Sequence, residues 1–441
     1  MSLQTPTALR TLQRKLYVAA KAQPDRRFHQ LYDKIYREDI LAHAYRLARQ
    51  ADGAPGVDGE NFEGIEAQGE GEWLARLGEE LRSQRYQPQA VRRVMIPKPG
   101  GGERPLGIPT IRDRVVQGAA RLVLEPIFEA DFVDCAYGYR PKRSAHDAVR
   151  QVHEALQDGY TEVVDADLSK YFDSIPHDEL MQCVARRVVD RQILRLIKMW
   201  LKVEVEERDA QGKRQMSGGK GSRYGTPQGG VISPLLANIY MHRFLKAWRD
   251  YGKAEQLRAR LVNYADDFVI LSRGHAQAAL DWTRRVMGRI GLTINEQKTC
   301  IREARREPFN FLGYSFGPMI HQRSGRRYLG AAPSKKAIQR LRERVRTILH
   351  QGNKRQWAQV VAELNQTLVG WQNYFRYGSV NRAYEAVNWM VLEKARRFLR
   401  QRHKVKTATA WKQFPARRLY GAYGIYKVRR SQPVSAPSAA T

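Results

Sequence analysis

The segment Leu261-Val262-Asn263-Tyr264-Ala265-Asp266-Asp267-Phe268-Val269-Ile270-Leu271 sets two carboxylates between two apolar stretches. Short apolar runs of this kind read as strands, so the acids fall at the tight turn of a hairpin. Their oxygens then face one point, which is costly unless a divalent cation neutralises them. Alone, Tyr264-Ala265-Asp266-Asp267 is also the composition of an ordinary solvated turn. A second acidic stretch changes its meaning. The strand-like Val163 and Val164 run into Asp165, Ala166, Asp167, Leu168, Ser169 and Lys170, then the aromatic pair Tyr171 and Phe172, then Asp173. An acid ending one strand beside an Asp-Asp hairpin on its neighbour makes a site for two metal ions and in-line attack of a hydroxyl on a phosphate. Asp167 is that acid; without the hairpin it would read as a cap before a helical turn at Ser169 to Phe172.

The bulk composition agrees with a phosphate-handling protein. The chain has 441 residues, 42% of them hydrophobic, enough for a large core and two to four domains. Its 76 Lys and Arg outweigh 45 Asp and Glu, a net charge of +31 that attracts nucleic acid at physiological salt. Cys135, Cys183 and Cys300 stand far apart and suggest neither a disulfide framework nor a zinc module. There is no run of about 20 apolar residues and no apolar signal core at the N-terminus. The expectation is a soluble, non-exported protein with no membrane partner.

Composition shifts divide the chain. Residues 1–88 form a helical N-terminal extension, with a charged helical stretch at Phe28 to Ala51 and a Gly-rich break at Gly53 to Gly59. Residues 89–318 carry short apolar runs at Val94 to Ile96, Glu162 to Ala166, Phe268 to Leu271 and Phe309 to Tyr314, read as strands shared with helices. From Lys335 the spacing of Ile338, Leu341, Val345 and Ile348 is helical, and an aromatic-rich run follows from Trp357 to Phe398. A helical domain is assigned to 330–412, a basic segment to 413–430 and a disordered tail to 431–441. Between Val391 and Arg430 thirteen Lys and Arg face the single acid Glu393.

Further blocks occur in a fixed order around the acids. Arg92 to Pro99, with the loop Gly100 to Arg104, leads into Pro105-Leu106-Gly107-Ile108-Pro109 and then Tyr137-Gly138-Tyr139-Arg140-Pro141. Thr226-Pro227-Gln228-Gly229-Gly230-Val231-Ile232-Ser233-Pro234 comes next, and Gly291 to Asn295 with Lys298 precedes Phe311-Leu312-Gly313. In this order the chain resembles the reverse transcriptases encoded by bacterial group II introns, the maturases, of the type lacking an endonuclease. The helical region resembles their thumb, or maturase, domain more loosely, through Leu364, Asn365, Gln366, Leu368, Gly370, Trp371, Tyr374 and Phe375.

The resemblance implies an α+β right-hand polymerase: an antiparallel-sheet palm, mixed fingers and a separate α-helical thumb. It implies catalysis by Asp167, Asp266 and Asp267, and two Mg²⁺ ions held by Asp167, Leu168, Asp266 and Asp267. Lys98 and Arg104 flank a glycine loop able to close over a triphosphate, where the plain reading is a solvated basic loop. Phe172 stands five residues beyond Asp167, where the family's aromatic lies under the sugar and its bulk excludes a ribose 2′-hydroxyl; the plain reading is a core Phe. Gln228 with Gly229 and Gly230 lets backbone approach template and incoming base. Lys298 either touches substrate phosphates or caps its own segment.

Trp371, Tyr374, Phe375, Tyr377 and Trp389 recur at helical spacing and read as core before base-stacking platforms. Arg396, Arg397, Arg400, Arg402, Lys404 and Lys406 read as a track for RNA. The expected partners are RNA template and intron RNA, DNA primer or target, and deoxynucleotide triphosphates, in the bacterial cytoplasm. With no endonuclease module after Arg430, second-strand cleavage is not expected. The favoured function is RNA-directed DNA synthesis with assistance to intron splicing and mobility. A free-standing relative in defence or DNA repair, or a nonenzymatic splicing factor, are the other readings.

Overall fold

The computed structural model describes residues 3–97, 102–208, 211–321 and 324–430. It is a mixed α+β fold with antiparallel sheets. In chain order the strands are β1 (Val91–Pro97), β2 (Glu103–Ile108), β3 (Glu162–Ala166), β4 (Glu204–Arg208), β5 (Arg214–Gly218) and β6 (Ala259–Tyr264). Then come β7 (Asp267–Ser272), β8 (Cys300–Glu303), β9 (Phe309–Phe311), β10 (Tyr314–Ile320) and β11 (Arg327–Pro333). The sheets have the orders β2-β1-β4-β5, β6-β7-β3-β8 and β11-β10-β9. The chain divides into two compact units.

The first unit comprises Met1–Ser144, Ala166–Ile270 and Gln277–Cys300. Its centre is the helix Ile111–Glu129, capped by the Thr110 hydroxyl, which accepts from the Asp113 amide at 3.1 Å. Val115, Val116, Ala119, Val123 and Ile127 are buried, and so are polar residues on its other faces, as befits a helix wrapped on all sides. The helices Thr7–Ala22 and Glu38–Ala51 pack on it. The stretch from Phe28 is not continuously helical: Phe28 makes a parallel bridge to Val188, and helices begin only at Tyr32 and Glu38. β1 pairs antiparallel with β2 (Arg92 opposite Ile108, Pro97 opposite Glu103) and parallel with β4.

The second unit comprises Ala145–Asp165, Leu271–Ala276 and Ile301–Thr441. The run Phe309 to Tyr314, expected as one strand, is two: Leu312 (φ 48°) and Gly313 (φ 78°) reverse the chain, so that Tyr314 pairs with Phe311. β11 continues through Pro333, so residue 330 lies inside a strand. The helices Lys335–Ile348, Trp357–Tyr374 and Asn381–Arg402 then bury Leu341, Val345, Leu364, Leu368, Trp371, Val387 and Leu399 against one another. Trp371 and Phe375 are core, whereas Trp389 is 66% exposed. No helix among the described residues is long and apolar enough to cross a membrane. The segment 431–441, expected as a disordered tail, lies outside the described residues.

Candidate active site

β6 and β7 are joined by a turn at Ala265 and Asp266, with Asp267 opening β7. Phe268 to Ser272 are all buried, which anchors the hairpin. Ala265 has φ 59°, a left-handed backbone that costs a residue with a Cβ on the order of 1 kcal/mol or more. The turn holds because Asn263, 2% exposed, donates from Nδ2 to the Ala265 carbonyl at 2.8 Å. The segment Cys135 to Gly138 lies along it: the Asn263 amide donates to Cys135 O and the Tyr137 amide to Asn263 O, both at 2.8 Å. Gly138 closes the approach, since a Cβ there would overlap the Ala265 nitrogen and stand 2.9 Å from the Tyr264 carbonyl carbon.

Asp167 leaves the end of β3, the neighbour of β7. The segment Thr293 to Thr299 fixes its backbone: Asn295 N donates to Asp167 O at 2.8 Å, Ser169 N to Thr293 O at 2.9 Å, and Leu168 bridges Ile294. Its Oδ2 accepts from Lys298 Nζ at 2.9 Å and from Asn295 Nδ2 at 3.3 Å. Lys298 therefore addresses the acid itself, and the backbone run beside it cannot be inferred from spacing. Leu168 has a buried apolar side chain, so only its carbonyl oxygen can serve a cation.

Arg104, Gln228 and Phe172 each find partners within the first unit. Arg104 Nε donates to Gln228 Oε1 at 2.9 Å, and Gln228 Nε2 donates to Asp173 Oδ1 at 3.1 Å. Phe172 is buried; its carbonyl accepts from Thr226 N at 2.7 Å and its ring meets Tyr139 edge-on at 6.4 Å. Burial first, and then the Asp266 charge, push the Tyr139 phenol above its ordinary range, with Asp267 adding to the rise and Arg104 opposing it. Tyr139 thus feels the hairpin acids while touching Phe172. Tyr139, Asn263, Asn295 and Asp173 were not selected from sequence as site residues. Gly229 (φ 112°) lies against the Gly107 carbonyl of β2, which a Cβ would overlap. Lys98 lies outside the described residues.

Asp167, Asp266 and Asp267 offer only carboxylate oxygens, the donor chemistry of a hard divalent cation. Among the described residues no three His, Cys, Asp or Glu side chains are gathered closely enough to hold a metal. The Lys298 ammonium neutralises Asp167 in this arrangement.

The basic helical track needs one correction. Arg396 is not on its open face: 5% exposed, it donates to the Phe414 carbonyl at 3.1 Å, pairs with Glu393 at 2.5 Å and stacks 3.4 Å from the Trp411 ring centre. Its cation is consumed internally. Arg397, Arg402, Lys404 and Lys406 are exposed, and Arg400 is half-buried beside Thr407. Arg396→Ala should therefore cost this unit about 2 to 4 kcal/mol in chemical denaturation, by stranding Glu393 and the Phe414 carbonyl. Arg397→Ala should leave stability unchanged and weaken RNA binding.

Residues 96–316 match the family described as reverse transcriptase (RNA-dependent DNA polymerase), and residues 338–417 match the group II intron, maturase-specific domain. Protein YkfC of Escherichia coli (strain K12) is 38% identical over 350 residues, covering 71% of this chain and 88% of that one. Group II intron-encoded protein LtrA of Lactococcus lactis subsp. cremoris is 29% identical over 355 residues, 66% of this chain and 57% of that one. An uncharacterized 91 kDa protein in the cob intron of Schizosaccharomyces pombe is 26% identical over 420 residues, 78% of this chain and 50% of that one. The chain thus spans about half the length of the last two.

Proposed function

The chain belongs to the reverse transcriptases of the group II intron maturase type, and we propose that it extends a DNA primer on an RNA template from a site built on Asp167, Asp266 and Asp267 and assists the splicing of an intron RNA. The observation that supports the assignment of the site is the set of partners that these residues find within the first unit. Lys298 and Asn295 hold Asp167, Tyr139 links Phe172 to the charges of Asp266 and Asp267, and Arg104 and Gln228 reach Asp173. In this reading residues 89–318 are fingers and palm, and residues 330–412 are the thumb.

The roles follow from the chemistry of each side chain. Asp167, Asp266 and Asp267, with the Leu168 carbonyl, would hold two Mg²⁺ ions. When bound there, such ions would supply Lewis acidity toward the primer 3′-hydroxyl and positive charge toward the triphosphate. Lys298 orients Asp167 and keeps its charge compensated while the site is open. Arg104 binds the triphosphate, together with Lys98, six residues earlier in the sequence. Phe172, braced by Tyr139, occupies the volume that a 2′-hydroxyl would need. RNA template, DNA primer and deoxynucleotide triphosphates are then the substrates, and the basic track of the second unit binds intron RNA in the cytoplasm.

The test is extension of a DNA primer on an RNA template by the purified protein, with Mg²⁺ or with a chelator in its place. Extension that chelation removes supports the reading. A folded protein that binds RNA tightly yet extends nothing overturns it. Phe172→Ala should raise ribonucleotide incorporation relative to deoxynucleotide by about 10²-fold, the scale of rejecting one hydroxyl. Unchanged sugar selectivity excludes Phe172 as the gate.

A further inference from the structure

The helix Arg191–Leu201 of the first unit is strongly two-faced. Ile193, Leu196, Ile197, Trp200 and Leu201 are buried, at the spacing that puts them on one side. Arg191, Arg195, Lys198 and then Lys202 follow at four-, three- and four-residue steps on the other side, a row about 16 Å long at 1.5 Å per residue. The helix is firmly seated. Asp190 caps it by accepting from Gln192 N at 3.0 Å and also accepts from Leu31 N and Tyr32 N, while Trp200 Nε1 donates to Tyr86 Oη at 3.2 Å.

The cationic row lines the wall of a groove of about 1000 Å³, and Lys220 after β5 lines the same groove. All five cations are exposed, and among the described residues none of them forms an ion pair, although Asp178 and Glu204 lie along the same groove. An ordinary solvated basic face is convex; here five cations line one concavity that also holds two acids, and among the described residues none of the five is tied up in an ion pair. Among the described residues the lining contains no aromatic, so they offer no platform for stacking unpaired bases. Its apolar patches come from Met181, Leu194, Met199 and Val203. Cations without stacking surfaces suit a nucleic acid whose bases are already paired and whose phosphates face outward.

We propose that this groove binds the phosphate backbone of double-stranded RNA, through Arg191, Arg195, Lys198, Lys202 and Lys220, as a site separate from the catalytic acids. The choice of RNA rests on the reading of the chain as a reverse transcriptase and maturase. None of these five residues belongs to the catalytic or triphosphate-binding sets named above. Their function is to hold structured RNA while the acids work on a primer end.

The test uses a blunt RNA hairpin with no recessed 3′ end and measures affinity by fluorescence anisotropy across a salt series. Arg195→Gln with Lys198→Gln is compared with Arg285→Gln with Arg289→Gln, two exposed cations on another helix, so that net charge falls equally. Each cation withdrawn from a phosphate lowers the slope of log affinity against log salt by about 1. The groove variant should therefore show a slope shallower by about 2, and the control pair should keep its slope. Lys202→Gln with Lys220→Gln should repeat the effect from the other part of the groove. Equal slopes for the groove and control variants in folded protein overturn the proposal. Primer extension run in parallel separates the two readings. Wild-type extension with no groove effect ends this inference alone, whereas a groove effect with no wild-type extension ends the polymerase reading and leaves the groove.

Discussion

Asp266→Ala with Asp267→Ala should lower Mg²⁺-dependent primer extension by on the order of 10³-fold or more while leaving RNA binding and any splicing assistance intact. The magnitude follows from what the carboxylates support: a metal-assisted displacement draws several kcal/mol from the ions, and about 1.4 kcal/mol is a factor of ten. Binding should survive because the exchange removes two negative charges from a chain already at +31, which favours a polyanion further. Asp266 is half-buried and Asp267 exposed, with Phe268 to Ser272 buried behind them, so the hairpin keeps its anchor. A second readout comes from Tyr139. Its phenol is pushed up first by burial and then by Asp266, with a further rise from Asp267, so removing both acids should let it titrate lower, though still above its ordinary range. Loss of RNA binding together with extension, in a variant that melts like the wild type, would reject the separation of the two functions.

The features legible in the sequence were those in which neighbouring residues carry the information. The Asp-Asp hairpin could be read because apolar runs flank the acids on both sides, and Asp167 because it directly follows a strand. The order of blocks added the family. What could not be read depends on residues distant in sequence meeting in space. Asn263 looks like a polar interruption in a strand, yet it ties the turn to the segment Cys135 to Gly138 more than 120 residues earlier. Arg396 sits among basic neighbours at helical spacing, and nothing local separates it from Arg397. Only the approach of Trp411 and Phe414 turns it into an internal brace. The division of Phe309 to Tyr314 hinges on positive φ at Leu312, a conformation that a leucine does not advertise. The row from Arg191 to Lys202 has a plain amphipathic pattern, but whether it faces open solvent or a groove is decided by Lys220 and the segment Gln87 to Ala90.

These long-range contacts make the second strong prediction, at a residue with no chemistry of its own. Gly138→Ala should reduce extension by about 10²-fold or more. The added methyl would overlap the Ala265 nitrogen, and it meets backbone, not a movable side-chain end. The two segments cannot simply part, because the bridge between Ala136 and Asn263 and the Tyr137 amide bond hold them in register. Relief must come from the turn, where Ala265 already occupies a left-handed conformation and Asp266 and Asp267 follow directly. A displacement on the order of 1 Å in reacting groups costs about 10² in rate. Overpacking of this kind also lowers stability by about 1 to 3 kcal/mol. Gly71→Ala is the matched control: it lies within a helix, nothing stands within 4 Å of its added Cβ, and it should stabilise by up to about 1 kcal/mol with extension unchanged. A Gly138→Ala protein that extends primers at the wild-type rate would show that the 135–138 segment merely neighbours the hairpin. Loss of extension with RNA affinity retained would show that the geometry of the turn, as well as its carboxylates, is required for catalysis.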